Sequence, residues 1–332
     1  MKIVITGAAG FLGKRLAKTL LEKGTLVGRD GKEQPISQLV LFDTVDYTGP
    51  ETEDPRVSVV SGDITDKTSV ERVIPHDVDG VFHLAAVVSA AAEADFDLGM
   101  AVNLYGVMHL LERLRATGRK PKLMFTSSIA TYGGAMPSEI RDDTPQTPQN
   151  SYGIQKAASE LLVSDYSRKG FIDGRSLRLP TIVVRPGRPN KAASTFASSI
   201  IREPLTGREA VCPVSPDTVM PIMSPRLVIE AFLKAFEIDA GRLGSWRSIL
   251  LPGLSVTVEE MAASLARVAG SQAVDLIRWA PDPDIQKIVA GWPTRLAPER
   301  ALKLGIETDS SMDAVIQAFI EDDLEAQKAG MA

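Results

Sequence analysis

The sequence predicts an α/β fold, a doubly wound parallel sheet followed by a smaller C-terminal unit. Short β-branched runs alternate with helical patterns up to Val184, which is typical of parallel strands joined by crossover helices. The first strand leads directly into a glycine-rich turn and an amphipathic stretch. From Arg185 onward, repeated prolines break the periodicity. The alternating part is therefore predicted to form the sheet domain, and the proline-rich part a cap.

The strands are predicted from apolar runs of five to nine residues. They lie near residues 2–6, 39–43, 57–62, 80–85, 121–127 and 176–184. In an open parallel sheet, ligands bind beyond the carboxyl ends of the strands. The residues that follow each run are therefore the candidates for a binding site.

The first such connection is Gly7-Ala8-Ala9-Gly10-Phe11-Leu12-Gly13, which opens an amphipathic stretch from Leu12 to Lys23. Glycines allow a tight turn and let backbone N–H groups approach a pyrophosphate at the positive end of a helix. Gly13 lets that helix pack closely on the sheet. A Rossmann-type dinucleotide site is predicted here, with contacts from Gly7, Gly10, Phe11, Leu12 and Gly13.

The second strand ends at Asp43. A carboxylate at this place accepts hydrogen bonds from the adenosine ribose hydroxyls and repels a 2′-phosphate, so NAD is predicted rather than NADP. The alternative is that Asp43 only forms a turn at the strand end. Residues 24–37 contain three glycines and Pro35, and are predicted to be an extended loop.

Two further strand ends complete the predicted dinucleotide site. Asp63 and Ile64 are expected to flank the adenine, and the small side chains after the fourth strand, in Leu84-Ala85-Ala86, to admit the middle of the cofactor. His83 lies inside an apolar strand, which favours a core residue over a catalytic base. Asn103, in a helical pattern, is expected to steady either the backbone or a water molecule.

A candidate catalytic group follows the fifth strand. Tyr152 and Lys156 are four residues apart, so on a helix both side chains lie on one face. A nearby ammonium lowers the pKa of a phenol towards the range of a general base. Ser128, at the end of the run Phe125-Thr126-Ser127-Ser128, is expected to hydrogen-bond the substrate oxygen whose proton Tyr152 removes. The alternative is a half-buried aromatic beside a solvated lysine.

Composition limits the partners. A net charge of −5 without a basic run argues against nucleic acid, and no apolar stretch is long enough to span a membrane. The chain opens directly on a strand and has one cysteine, Cys212, so we expect a cytoplasmic protein without a signal peptide. The scattered cysteine and histidines have no metal-ligand spacing, so no metal is expected.

Taken together, these motifs resemble the extended short-chain dehydrogenase/reductase family over nearly the whole chain. The matching residues are Gly7, Gly10, Gly13, Asp43, Asp63, His83-Leu84-Ala85-Ala86, Asn103, Ser128, Tyr152, Lys156 and Arg178-Leu179-Pro180-Thr181. The resemblance implies that Tyr152 is the base, that Lys156 holds the nicotinamide ribose, and that Ser128 orients the reacting oxygen. It also implies that Pro180 and Ile182 line the carboxamide and that Asn103 belongs to the cofactor site.

The resemblance implies an interleaved domain boundary. Residues 1–184 would form the NAD-binding domain, to which 225–253 return as a helix (226–237) and a strand (248–251). Residues 185–224 and 254–332 would form the substrate-binding cap. By resemblance we also expect a homodimer whose helices near 95–117 and 150–169 pair across a two-fold axis.

The cap segment has a local positive excess, which is suited to a substrate anion. Its cations are Arg185, Arg188, Lys191, Arg202 and Arg208. The alternative is a solvated face, with arginines bound to backbone carbonyls. The string from Arg185 to Ser194 resembles a branch of the family that oxidises the C2 hydroxyl of a four-carbon sugar acid with NAD, and Arg185 is the candidate substrate contact.

The predicted function is thus NAD-dependent oxidation of a secondary alcohol on a small hydroxy acid. A nucleotide-sugar epimerase or dehydratase that reduces NAD transiently is the alternative enzyme. A dinucleotide-sensing protein without catalysis would require the catalytic set to have decayed, whereas Ser128, Tyr152 and Lys156 are all present.

Overall fold

The structure, a computed structural model, describes residues 1–189 and 192–330. Lys191 of the predicted cationic set and its neighbour Asn190 lie outside the described residues. Contacts within the chain divide it into two units. The first comprises residues 1–131, 150–178 and 229–249, and the second comprises 132–149, 179–228 and 250–330.

The strands and helices are numbered in chain order. The strands are β1 Lys2–Thr6, β2 Thr25–Val27, β3 Glu33–Pro35, β4 Gln38–Asp43, β5 Val57–Ser61, β6 Gly80–His83, β7 Lys122–Ser128, β8 Ile140–Arg141, β9 Asp173–Leu179, β10 Thr181–Ile182, β11 Ala210–Cys212, β12 Val219–Met223, β13 Ser248–Leu250, β14 Leu254–Thr257, β15 Ile277–Trp279 and β16 Leu296–Ala297. The helices are α1 Phe11–Lys23, α2 Lys67–Val73, α3 Ser89–Ala94, α4 Phe96–Met100, α5 Gly106–Ala116, α6 Ser151–Arg168, α7 Thr195–Leu205, α8 Pro225–Glu237, α9 Ala240–Leu243, α10 Val258–Ala269, α11 Ser271–Val274, α12 Pro283–Ala290, α13 Glu299–Lys303, α14 Met312–Asp322 and α15 Leu324–Lys328.

The first unit is built on a seven-stranded sheet with the order β13-β9-β7-β6-β1-β4-β5. β1 pairs in parallel with β4 on one side and β6 on the other, and the β4–β5 and β6–β7 pairs are also parallel. The predicted Rossmann-type α/β fold is confirmed. Strand order reverses beside β1, so the carboxyl ends of β1 and β6 flank the switch point where such sheets bind ligands.

The core of the first unit lies between the sheet and its helices. Apolar side chains of the central strands, such as Val4, Val81 and Phe125, pack on α2, α5 and α6. The helices contribute side chains such as Leu110 of α5 and Val163 of α6. Strands that are buried on both faces read as continuous apolar runs, which is why these strands were recognisable from the sequence.

Two predicted elements differ in the structure. Residues 24–37 are not an extended loop, because β2 and β3 form an antiparallel hairpin between Gly24 and Ile36. The predicted strand at 176–184 is wrong in its bounds: β9 starts at Asp173 and ends at Leu179. Pro180 has no N–H to continue the ladder, and β10 then pairs with β12 in a different sheet.

The second unit has its own core and a three-stranded sheet, β10-β12-β14. α7, α10 and α14 pack around that core with apolar residues such as Ile200, Leu265 and Phe319. Residues 132–149, which the sequence reading gave to the nucleotide-binding part, belong to this unit. The predicted return of the chain to the sheet is seen in α8 and in β13. In residues 1–189 and 192–330, no helix is long and apolar enough to cross a membrane.

Candidate active site

The glycine turn between β1 and α1 has the geometry of a phosphate cradle. Gly7 has φ +73°, and a Cβ on it would lie 2.6 Å from the Ala85 backbone nitrogen. A Cβ on Gly13 would lie 2.3 Å from the Gly7 carbonyl oxygen. Gly10 is the N-cap of α1, where it has no side chain to accept from the first-turn amides. The amides of Phe11 and Leu12 are therefore available to an anion.

Asp43 lies beside this turn at the end of β4. One carboxylate oxygen accepts a hydrogen bond from the Ala9 backbone N–H at 2.9 Å, and the other accepts from the Val45 N–H at 3.3 Å. Each oxygen has further accepting capacity, as a ribose diol requires. The cradle and the carboxylate fit the two halves of an adenosine diphosphate, and thus fit NAD.

The remaining predicted cofactor residues follow β5 and β6. The Asp63 carboxylate accepts from the Thr65 N–H at 2.8 Å, while the Ile64 side chain is buried in the core and has only its backbone to offer a ligand. Leu84, Ala85 and Ala86 are all partly exposed beside the glycine turn.

Asn103 steadies the backbone, which is the first of its two expected roles. Its amide accepts from the Val87 N–H at 2.9 Å and donates to the Val87 carbonyl at 3.0 Å and to Gln155 Oε1 at 2.8 Å. It lies in a π-helical segment, Ala101–Tyr105, and Ser159 Oγ donates to its carbonyl at 3.0 Å. Asn103 therefore fixes the segment after β6, and its buried side chain is used within the protein.

His83 is a core residue, as the sequence reading favoured. Its Nδ1 lies 2.6 Å from Thr6 Oγ1, and its ring stacks on Phe125. Complete burial lowers the pKa of the ring to about 3, so the imidazole is neutral. It is not placed to act as a base at neutral pH.

Ser128, Tyr152 and Lys156 come together where β7 ends against α6. The Ser128 hydroxyl lies close enough to the Tyr152 phenol to lower its pKa against the effect of burial. Lys156 Nζ donates to the Thr126 carbonyl at 2.8 Å and lies 5.6 Å from the centre of the Tyr152 ring. α6 begins at this place because Asn150 caps it, accepting from the Gly153 N–H at 2.8 Å. The predicted trio is thus one cluster on the nucleotide-binding sheet.

The expected electrostatic effect of Lys156 on Tyr152 is wrong for the protein groups alone. Burial raises the pKa of Tyr152 to about 12, although the Ser128 hydroxyl opposes the rise. Burial also lowers the pKa of Lys156 to about 7, against the opposing effect of Glu160. Desolvation is the largest cause of both shifts, because it disfavours the charged form of each group.

Pro180, Ile182 and Arg185 lie in the second unit. The Arg185 backbone N–H donates to Ser198 Oγ at 3.0 Å, and its guanidinium donates to Ser194 Oγ at 2.9 Å. Burial lowers the pKa of this guanidinium. Within the described part of the chain, Arg185 is in no ion pair, which leaves a largely buried cation available to an anion.

The other predicted cap cations do not form a cluster of available charges. Arg202 is buried, donates to the Arg185 carbonyl at 2.6 Å and forms an ion pair with Glu203 at 2.7 Å. Arg188 and Arg208 are exposed. The alternative interpretation, carbonyl-bound and solvated arginines, therefore describes these three. In residues 1–189 and 192–330, no group of three or more His, Cys, Asp or Glu could hold a metal.

Sequence reasoning missed the buried polar residues behind the trio. Glu160 accepts from Ser127 Oγ and from Arg178, and all three side chains are buried. The signal was the spacing, because Glu160 follows Lys156 by the same four residues that separate Lys156 from Tyr152.

Comparison with known proteins agrees with this geometry. The chain is 52% identical to D-erythronate dehydrogenase from Cupriavidus necator over 97% of its own length and 98% of that protein. It is 46% identical to D-erythronate dehydrogenase from Haemophilus influenzae over 98% of its length and all of that protein. A crystal structure of a nucleoside-diphosphate-sugar epimerase from Agrobacterium tumefaciens superposes with a TM-score of 0.93 at 42% identity, covering 98% of this chain and 95% of that one.

The model of the NAD dependent epimerase/dehydratase family matches residues 3–242. That range contains the glycine cradle, Asp43 and the trio of Ser128, Tyr152 and Lys156. The chain belongs to the NAD dependent epimerase/dehydratase family.

Proposed function

We propose that this enzyme oxidises the C2 hydroxyl of a small sugar acid of the D-erythronate kind to the 2-oxo acid, with NAD as the electron acceptor. The observation that carries the proposal is the cluster of Ser128, Tyr152 and Lys156 at the end of β7. The Ser128 hydroxyl interacts with the Tyr152 phenol, and Lys156 donates to the β7 carbonyl of Thr126. Its two full-length relatives with the name D-erythronate dehydrogenase support the substrate class.

In the proposed reaction, Tyr152 removes the proton of the C2 hydroxyl as the C2 hydrogen leaves with its electron pair. Ser128 hydrogen-bonds the same oxygen and orients it. The Lys156 ammonium holds the nicotinamide ribose and stabilises the phenolate. NAD, when bound, supplies the hydride acceptor and a positive charge that opposes the desolvation of Tyr152.

We propose that the cofactor site consists of the glycine cradle, Asp43 and the residues after β5 and β6. Asp43 is the ribose ligand, and Asn103 acts by holding the segment at Val87 rather than by direct contact. In this proposal the first unit binds NAD and the second carries the substrate contacts. Arg185 is the candidate for the substrate carboxylate, because its guanidinium is in no ion pair within the described part of the chain, donates to Ser194 Oγ, and has the Arg202 cation as its neighbouring charge.

The second candidate is a nucleotide-sugar epimerase or dehydratase, which the name of the Agrobacterium structure favours. The two functions differ in a measurable product. A dehydrogenase releases stoichiometric NADH, whereas an epimerase reduces NAD only transiently. An epimerase also needs room for a nucleotide beside the sugar.

The test is a panel of D-erythronate, erythritol, L-threonine and UDP-galactose with added NAD, followed by NADH absorbance and product analysis. We expect oxidation of D-erythronate. Erythritol lacks the carboxylate and should lose at least about tenfold in kcat/KM, which corresponds to a charge-assisted hydrogen bond of ~1.5–3 kcal/mol. Tyr152→Phe is the control for reaction at this site and should abolish NADH formation. Turnover of UDP-galactose with no reaction of any hydroxy acid would replace this proposal with the epimerase.

We further propose that the enzyme works in the cytoplasm as a homodimer. The cytoplasmic assignment rests on a single, buried cysteine, which cannot form an internal disulfide. The dimer rests on the exposed apolar side chains of α4, α5 and α6.

A further inference from the structure

Glu160 is a fully buried carboxylate on the active-site face of α6 that the proposed reaction does not use. Tyr152, Lys156 and Glu160 are each four residues apart, so their side chains lie one turn apart along a single face of the helix. A buried charge is costly unless it is paired and hydrogen-bonded. The partners of Glu160 therefore indicate why the fold keeps it there.

Three successive residues at the end of β7 meet these three side chains. The Thr126 carbonyl accepts from Lys156, the Ser127 hydroxyl donates to Glu160, and the Ser128 hydroxyl interacts with the Tyr152 phenol and lowers its pKa. Glu160 is thus bonded to Ser127, which lies between Thr126 and Ser128, the two β7 residues that contact Lys156 and Tyr152. Its position and that of Ser128 are coupled through a single peptide unit.

Arg178 on β9 holds the other side of the Glu160 carboxylate. Its Nε lies 3.1 and 3.0 Å from the two oxygens, and its Nη2 donates at 2.7 Å. A two-pronged guanidinium contact fixes the plane of the carboxylate. Arg178 in turn lies 6.0 Å from the centre of the Trp246 ring.

The surroundings of Lys156 show what this carboxylate supplies. The titratable groups that interact with the Lys156 ammonium are Glu160, Tyr152 and the neutral His83, and β7 adds a carbonyl and the Phe125 ring at 4.8 Å. Of these, Glu160 is the negative charge.

The carboxylates on the helices packed against α6, Asp97 among them, are exposed or have partners other than Lys156. Glu93 accepts from the Ser151 N–H at 2.8 Å, Asp95 caps α4, and Glu112 pairs with Arg115 and Tyr166. Glu160 is therefore the counter-charge of Lys156 on this face of the helix.

We propose that Glu160 is a positioning residue, which keeps Lys156 in its ammonium form and fixes the strand end that presents Ser128. A neutral lysine amine would give up the charge that stabilises the phenolate. Burial alone pushes Lys156 towards that neutral form. The stabilisation of the phenolate by the Lys156 charge rests on the proposed function. The effect of Glu160 on the charge of Lys156 does not.

The direct test is the titration of Lys156 in protein labelled with 13C-lysine. The pH dependence of the side-chain 13Cε NMR shift is followed, and the signal is assigned by its loss in Lys156→Arg. The midpoint for Lys156 is expected at about 7 in the parent protein. In Glu160→Gln, which removes only the charge, it should fall by about one pH unit or more. In Glu160→Asp, which retains the charge, it should stay close to the parent.

A matched control comes from a second buried ion pair in the same unit. Asp173 lies on β9 with Arg178, about 17 Å away along the strand, and it pairs with Arg175 at 2.9 Å. Asp173 supports the charge of Lys122, whose pKa is about 8. Asp173→Asn should therefore lower the Lys122 midpoint and leave Lys156 unchanged, while Glu160→Gln should do the reverse. An unchanged Lys156 midpoint in Glu160→Gln would overturn the proposal.

Glu160→Gln leaves a buried guanidinium unpaired, so a second variant covers a failure to fold. Glu160→Met/Arg178→Met replaces the whole pair with apolar side chains, a change that buried ion pairs often tolerate. A lowered Lys156 midpoint in this variant supports the proposal, because loss of the Arg178 cation alone would raise it, and a raised midpoint overturns the proposal.

Activity gives a separate readout. In Glu160→Gln, kcat/KM for D-erythronate at pH 7 should fall about fivefold, because the charged fraction of Lys156 falls from about a half to about a tenth. A parent enzyme that oxidises no hydroxy acid would defeat the proposed function alone. A normal rate with an unmoved Lys156 midpoint would defeat the role of Glu160 alone.

Discussion

Burial determines the charge of the residues around the candidate site more strongly than their spacing does. His83, Lys156 and Tyr152 all have pKa values displaced towards the neutral form, and desolvation is the largest cause for each. The spacing of Tyr152 and Lys156 was visible in the sequence, but the depth at which they lie was not. Depth depends on residues far away in the chain, such as the β7 carbonyl that Lys156 contacts.

The neutral state of His83 predicts a contribution to acid sensitivity. The folded pKa of about 3 lies below the ordinary value of 6.5, so below pH 6.5 the unfolded chain binds a proton that the folded chain does not. Stability from this residue is therefore present above about pH 6.5 and is lost as the pH falls towards 3, at about 1.4 kcal/mol per pH unit.

The measurement is the urea unfolding free energy between pH 4 and 7. His83→Gln should be less stable at neutral pH, with a shallower dependence on pH by up to one proton. His76→Gln, which removes an exposed histidine, is the control and should keep the parent slope. A slope in His83→Gln equal to that of the parent would mean that the ring is protonated in the fold.

Asp43 predicts the cofactor preference. Wild-type enzyme should favour NAD over NADP, because the carboxylate accepts from the ribose hydroxyls and repels a 2′-phosphate. Asp43→Ala should weaken or remove that preference, by lowering kcat/KM with NAD and raising it with NADP. The check is steady-state kinetics with both cofactors. A wild-type preference for NADP would show that Asp43 does not contact the ribose.

At the scale of elements, the helices α1 and α6 and the strands of the sheet other than β9 could be predicted within one or two residues because their apolar periodicity is strong. The β2–β3 hairpin could not, since its strands have three residues each and contain charged side chains and a proline. The π-helical segment at Asn103 was also invisible. It is stabilised by the Asn103 and Ser159 bonds, which need partners distant in sequence.

The contact between α1 and the glycine turn predicts different roles for two glycines. A Cβ at Gly13 would lie 2.3 to 2.7 Å from backbone atoms of Gly7 and Ala8, which cannot rotate away. Gly13→Ala should therefore move α1 off the sheet and destabilise the protein by about 1–3 kcal/mol, the usual range for overpacking. Gly10→Ala is the matched control, because its Cβ would meet the Gly7 carbonyl only at 3.3 Å and its φ is −69°.

Thermal and urea unfolding of both variants provide the check. Gly10→Ala should unfold close to the parent even where its NAD affinity falls, since the two effects have different origins. Equal stability of Gly13→Ala and the parent would mean that the close approach of α1 is not required by the fold.

For the whole molecule, the apolar side chains at helical spacing on the predicted dimer helices divide into two sets. Val107 and Leu111 of α5 are buried in the core of the first unit and are not available to a partner. Met108 is exposed. Periodicity alone cannot separate these sets, because both satisfy helical spacing.

The exposed set forms the candidate dimer surface. It consists of large apolar side chains on α4, the π-helical segment, α5 and α6: Phe96, Leu98, Tyr105, Met108, Ile154 and Leu161. Phe96 is 59% exposed and Leu161 56%, which is unusual for so many apolar side chains on neighbouring helices. A two-fold contact between copies of α5 and α6 would cover them with a self-complementary face.

Light scattering at micromolar concentration should therefore give twice the chain mass of 35.7 kDa. Leu161→Lys places a charge in the proposed contact and should shift the protein towards the monomer, while leaving the circular dichroism spectrum unchanged, because the side chain is exposed within its own chain. Leu302→Lys is the matched control: Leu302 is 54% exposed on α13 of the second unit, and its substitution should leave the mass unchanged. A monomeric parent protein, or a dimer that Leu161→Lys does not weaken, would contradict the assignment of this surface.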